Sequence, residues 1–149
     1  MLGFRPLPRT LEAALRDAEH VRPDVRLAAL ADLKRHARDG EACALEQLLG
    51  RLTDSEPQVR AAAALALADI DARAAVEPLI RATSDSDAGV RQMALLAVGE
   101  LAAAQHAAAC AAALRGLVDP LPAVRYQAVV ALARLRSEDA LESLLVGTR

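Results

Sequence analysis

The residues of this 149-residue chain with the most obvious chemistry are three histidines and two cysteines. His20, His36 and His106 are scattered, and none has a second ligand at metal-binding spacing. A metal centre needs three or four converging ligands. Cys43 and Cys110 lie 67 positions apart with no Cys-x-x-Cys, which excludes a disulfide framework and a zinc knuckle. Cys110 falls in an apolar register and reads as a small buried hydrophobe. Cys43 sits near a helix start, where a thiolate is favoured, but its expected role is passive. The seven glycines never form Gly-x-Gly, so no phosphate-cradling loop is present. These residues predict no catalytic centre, no metal and no cofactor.

The recurrent charges are more informative. A Val-Arg pair occurs four times, at Val25-Arg26, Val59-Arg60, Val90-Arg91 and Val124-Arg125, with spacings of 34, 31 and 34. Five residues before each Val stands His20, Asp54, Asp85 or Asp119. Four after it is Ala29, Ala63, Ala94 or Ala128, eight after it Leu33, Leu67, Val98 or Leu132, and eleven after it His36, Ile70, Leu101 or Leu135. These offsets fall on one side of a 3.6-residue helix. Each Val therefore opens the inner face of a helix of about 14 residues, about 21 Å long. Upstream, Leu11, Leu45, Val76 and Cys110 lead a second set of helical offsets, so a first helix precedes each Val-Arg helix. Pro23, Pro57 and Pro122 lie in the break between the two, and proline is tolerated in a first helical turn because its missing N–H has no intrahelical partner there.

The elements that position these charges are thus helix–turn–helix units. Self-similarity at this period marks a repeat array. The expectation is an all-α fold, an α-solenoid or superhelix of antiparallel helix pairs. It would have about four repeats plus a terminal helix carrying Leu141, Leu144 and Leu145. Residues 1–10 read as an N-terminal arm and 11–149 as one solenoid domain. The alanine four after each Val marks the closest helix approach. Asp32, where later units have Ala66, Ala97 and Ala131, fits an end unit with one side in water.

Composition agrees. The chain has 36 Ala and 25 Leu with only 1% aromatic residues, which favours helices with small aliphatic cores over sheets. Net charge is −2, giving no global attraction to nucleic acid or to acidic membranes. No stretch reads as a secretory signal or a membrane span, and a cytoplasmic setting is the expectation. Seventeen arginines against the single Lys34 are compatible with a GC-rich bacterial genome.

The pattern resembles the HEAT-repeat family, in its short form known as the phycobilisome-lyase-type HEAT repeat. Asp54, Pro57, Val59, Arg60, Ala63 and Leu67, with their equivalents in units three and four, carry the match. Ala75-Val76-Glu77-Pro78-Leu79-Ile80 is similar to the family's first-helix opening. The resemblance implies a charge ladder along the turns, made of Arg26, Asp54, Arg60, Asp85, Arg91, Asp119 and Arg125, and broken at the N-terminal end by His20. It also implies that the second helices line a concave surface. Iron-binding members use repeated His-Glu dipeptides, and none occurs here.

Positions two, six and nine after the Val project away from the core stripe. Position six is usually polar in the short family form, yet here it reads Ala31, Leu65, Leu96 and Val130. Position two reads Leu27, Ala61, Gln92 and Tyr126, and position nine Lys34, Ala68, Gly99 and Ala133. Arg35, Asp69, Glu100 and Arg134 at position ten form a charged border. An apolar strip on a surface that should be wet marks an interaction site, and Tyr126 is a reasonable anchor. The expected function is a non-enzymatic adaptor or scaffold that binds another protein along this strip, with nucleic acid and membrane excluded as partners. Self-association through the strip is a further partner class. The alternative implied by the resemblance is a subunit of a bilin lyase or chaperone-type complex acting on tetrapyrrole-bearing proteins.

Overall fold

A computed structural model describes residues 7–135. Eight α-helices follow one another: α1 (Leu11–Ala18), α2 (Pro23–Arg38), α3 (Ala42–Gly50), α4 (Pro57–Asp69), α5 (Val76–Ala82), α6 (Ala88–Leu101), α7 (Ala107–Gly116) and α8 (Pro122–Leu135). Short 3₁₀ turns at Arg51–Thr53 and Arg73–Ala75 extend α3 and precede α5. No strand occurs among the described residues. The terminal helix expected around Leu141 and the first six residues of the expected arm lie outside them.

The helices pair as α1/α2, α3/α4, α5/α6 and α7/α8. The second helices α2, α4, α6 and α8 pack side by side in one layer, with α1, α3, α5 and α7 behind them. The core lies between the layers. Val59, Val90 and Val124 open it at 1%, 0% and 1% exposure, and Ala29, Ala63, Ala94 and Ala128 are all 0% exposed. Leu33, Leu67, Val98 and Leu132 complete the stripe. In the first unit Val25 and His36 are only half-buried, because no earlier unit covers them.

Small residues set how close the helices come. A Cβ on Gly99 would stand 2.8 Å from the Ala131 Cα, and one on Gly116 would stand 2.8 Å from the Ala128 Cβ. So the α6–α8 and α7–α8 seams close on glycine as well as on alanine. Gly99, expected on the open strip, is in fact inside a seam, and Ala68 at the same position of α4 is 8% exposed. Ridge-into-groove packing of adjacent second helices covers the flanks of each one, so at the centre of the array position nine meets a neighbour.

The chain reverses between units through a single left-handed residue in each described linker: Gly40 at φ 97°, Asp71 at φ 53° and Gln105 at φ 60°. Around the first, Gly40 N–H donates to Ala37 O and Glu41 N–H to His36 O, satisfying the last carbonyls of α2.

Candidate functional site

Two surfaces bring the recurrent residues together. The first runs along the turns within each helix pair. Arg26 donates from Nε and Nη2 to the Asp54 carboxylate at 2.8 and 2.7 Å. Arg60 does the same to Asp85 at 2.8 and 2.8 Å, and Arg91 to Asp119 at 2.7 and 3.0 Å. The remaining Nη1 of each arginine donates to two carbonyls of its own turn: His20 and Val21, then Asp54 and Ser55, then Asp85 and Ser86. Arg125 keeps the carbonyl contacts, to Asp119 O at 2.8 Å and Pro120 O at 3.0 Å, and makes no carboxylate contact among the described residues.

Each ladder aspartate also accepts a backbone N–H two residues on, from Glu56, Asp87 or Leu121, which fixes the turn before the second helix. Burial by itself pushes the Asp54 carboxyl up. The Arg26 hydrogen bonds, the Glu56 N–H and the charges of Arg26 and Arg51 outweigh it and hold the group below the ordinary carboxylate value. Asp85 shows the same balance, with Arg60 and the Asp87 N–H opposing burial. At Asp119 the Arg91 hydrogen bond is the largest influence, and it too is held low. The ladder is a geometric tie between successive units, and among the described residues three of its four arginines are paired with a carboxylate.

At the N-terminal edge a separate network closes the array. Arg9 bridges Asp17 and Asp32 at 3.0 Å each, and its carbonyl accepts from Arg35 Nη2 at 2.6 Å. The His36 ring lies 3.0 Å from the same carbonyl. Arg35, expected on the charged border, is therefore turned to this edge instead. Arg9 was not singled out by sequence; Asp32, read there as an end-unit residue facing water, is half-buried and is one of its two carboxylate partners. Leu7, by contrast, is 91% exposed and covers nothing.

The second surface is the outer face of the second-helix layer. Leu27 and Leu65 are 38% and 40% exposed, and Tyr126 is 69% exposed. Ala31 is exposed, while Gln92, Leu96 and Val130 are half-buried. Leu96 leans onto the core cluster. Val129, 39% exposed, stands five residues after the Val, where the other units bury Leu30, Ala64 and Leu95, and so lies on the edge of the last described unit and not on this face. Between α2 and α4 the face sinks into a groove of about 200 Å³ lined by Leu27, Leu30, Ala31, Ala62, Leu65 and Ala66, with Lys34 and Asp69 at its end.

The border charges pair across helices. Lys34 Nζ lies 2.7 Å from Asp69, and Arg134 Nη1 lies 2.8 Å from Glu100. They tie α2 to α4 and α6 to α8, and so are largely neutralised where they stand.

Among the described residues no group of three or more His, Cys, Asp or Glu is placed to hold a metal ion. Cys110 is buried, and Cys43 is exposed at the second residue of α3. His106 caps α7, its Nδ1 accepting from Ala109 N–H at 3.3 Å. No described helix is long and apolar enough to cross a membrane.

Comparison with known proteins gives the same architecture. The family described as HEAT repeats matches residues 7–99, and the PBS lyase HEAT-like repeat matches residues 124–146. No curated protein matches the chain. An engineered protein of solved structure superposes with a TM-score of 0.69 at 22% identity, over 90% of this chain and 66% of its own. The complex of CpcE and CpcF of phycocyanin lyase from Nostoc sp. PCC7120 gives a TM-score of 0.62 at 22% identity, over 99% of this chain and 72% of the matched one. At this identity the likeness is one of fold.

Proposed function

The chain belongs to the HEAT-repeat family, and from that premise we propose that it is a protein-binding array with no catalytic chemistry of its own. The observation that carries the reading is the outer face of the second helices. Leu27, Leu65 and Tyr126 stand open to solvent there, on α2, α4 and α8, with Leu96 of α6 half-buried between them. A run of apolar side chains on one exposed face is what a partner buries, and an aromatic among them is the favoured anchor. The cross-helix pairs Lys34–Asp69 and Arg134–Glu100 leave little free charge beside the face. Specificity then rests on shape and apolar contact more than on free charge.

The test compares the wild type with Leu65→Glu/Tyr126→Ala as bait in affinity purification from the native host. Both side chains are exposed, so the variant keeps its melting temperature. A partner retained by the wild type and lost by the variant supports the reading. Equal recovery by both baits overturns it.

A second reading is favoured by the likeness of residues 124–146 to the PBS lyase HEAT-like repeat and by the fold shared with the phycocyanin lyase complex. In it the chain is one subunit of a lyase or chaperone-type complex for tetrapyrrole-bearing proteins. An absorption change on mixing the chain with a bilin and an apo-acceptor would favour it; an unaltered spectrum would remove it.

A further inference from the structure

The turn edge of the last described unit differs from the other three in two independent ways. The first is the open rung. Arg125 is held by the carbonyls of Asp119 and Pro120 in the same manner as the other ladder arginines. Among the described residues, no carboxylate meets the Nε–Nη2 edge that Arg26, Arg60 and Arg91 each use for a bidentate pair.

The second is the surface beside it. Six residues before the Val, the first three units carry Glu19, Thr53 and Ser84; the last carries Val118, which is 84% exposed. Three residues before the Val, they carry Arg22, Glu56 and Asp87; the last carries Leu121, which is 48% exposed. Polar positions have become apolar beside Arg125.

We propose that this edge is a docking site for another protein, and that the docked element is a turn presenting an aspartate to Arg125 with an aliphatic side chain against Val118 and Leu121. The chain's own turns show the geometry required: an aspartate fixed by a backbone N–H two residues on and gripped by two arginine nitrogens. Charge complementarity selects a carboxylate, since planar bidentate pairing is what a guanidinium edge recognises best. A second copy of this chain is a poor occupant. Its Asp54, Asp85 and Asp119 are already engaged by its own arginines, and its first turn offers His20 in place of an aspartate. The site is separate from the second-helix face, so loss of binding at one leaves the other intact.

The experiment follows the arginine Nε–H signals of the full chain by ¹⁵N NMR, with the blocked hexapeptide Asp-Ser-Asp-Ala-Gly-Val, the sequence of residues 85–90, as probe. In the free protein, the Arg26, Arg60 and Arg91 Nε–H groups should exchange at least about tenfold more slowly than that of Arg125, because only they are closed in ion pairs. Added peptide should shift the Arg125 signal saturably, with a Kd of about 1 mM. The version with both aspartates replaced by asparagine should not shift it. Val118→Ser/Leu121→Ser should weaken the peptide about threefold, and Arg125→Lys should abolish the bidentate signature.

Slow exchange at Arg125 in the free protein overturns the proposal, because the fork is then filled by this chain or by a second copy. Absence of a saturable shift, or an equal shift with the asparagine peptide, overturns it as well.

Discussion

Asp85 illustrates how much depends on a single side chain. It accepts two hydrogen bonds from Arg60 and one from the Asp87 N–H, and its side chain is 14% exposed. Asp85→Ala leaves the Arg60 guanidinium without its carboxylate and frees the Asp87 N–H. The expected cost is about 3 kcal/mol, read by urea denaturation. Gly99 makes the complementary point about space. Gly99→Ala gains helix propensity, but it drives a Cβ to 2.8 Å from the Ala131 Cα, which is backbone and cannot swing aside. The expected net result is destabilisation by about 1–2 kcal/mol, because overpacking outweighs the propensity gain. Ala63→Asp should do worse and abolish cooperative unfolding, since a carboxylate at a 0% exposed seam has no partner. Unchanged helicity and melting temperature in that variant would contradict the seam.

At the scale of the element, helix pairing was open to reading from sequence because the period repeats four times and the core offsets coincide. Val59, Ala63 and Leu67 are visible as a stripe before any coordinates. The outer face was less legible. Periodicity measures an angle about one helix axis, and it does not say how wide a neighbouring helix is. Gly99 and Leu96 lie at outward angles, yet the adjacent second helix covers the first and half-covers the second. Arg35 was misplaced for a different reason: long side chains go where a carbonyl or carboxylate waits, and Arg9 lies outside the repeat pattern. The left-handed linker residues were also invisible, because the chain uses Gly, Asp and Gln in turn. Gln105→Gly relieves a conformation that costs a side-chain-bearing residue about 1 kcal/mol. It should stabilise the chain by about 0.5 kcal/mol after the entropy penalty of glycine, seen as a small rise in melting temperature.

Across the whole molecule the ladder couples stability to acid. Asp54, Asp85 and Asp119 are held below the ordinary value of 3.8 in the folded chain. A carboxyl depressed on folding contributes its full stabilisation above the unfolded value and loses it as pH falls through the folded one. Unfolding free energy should therefore be level from neutral pH to about pH 5 as far as these groups are concerned, and fall steeply below about pH 4. Asp85→Asn should flatten that fall, and an unchanged acid limb in the variant would remove Asp85 from the account.

Each rung touches only its own turn and the next, with Arg60 spanning Asp54 O and the Asp85 carboxylate and nothing further away. Removing one period, residues 60–90, would join Val59 to Arg91, so the shortened chain would still have an arginine ready for Asp119 and a carbonyl-bearing turn behind it. Length is thus decoupled from local fit. Gene duplication or excision in whole periods can resize the array without redesigning a single joint, while a partial-period insertion would throw every later rung out of step.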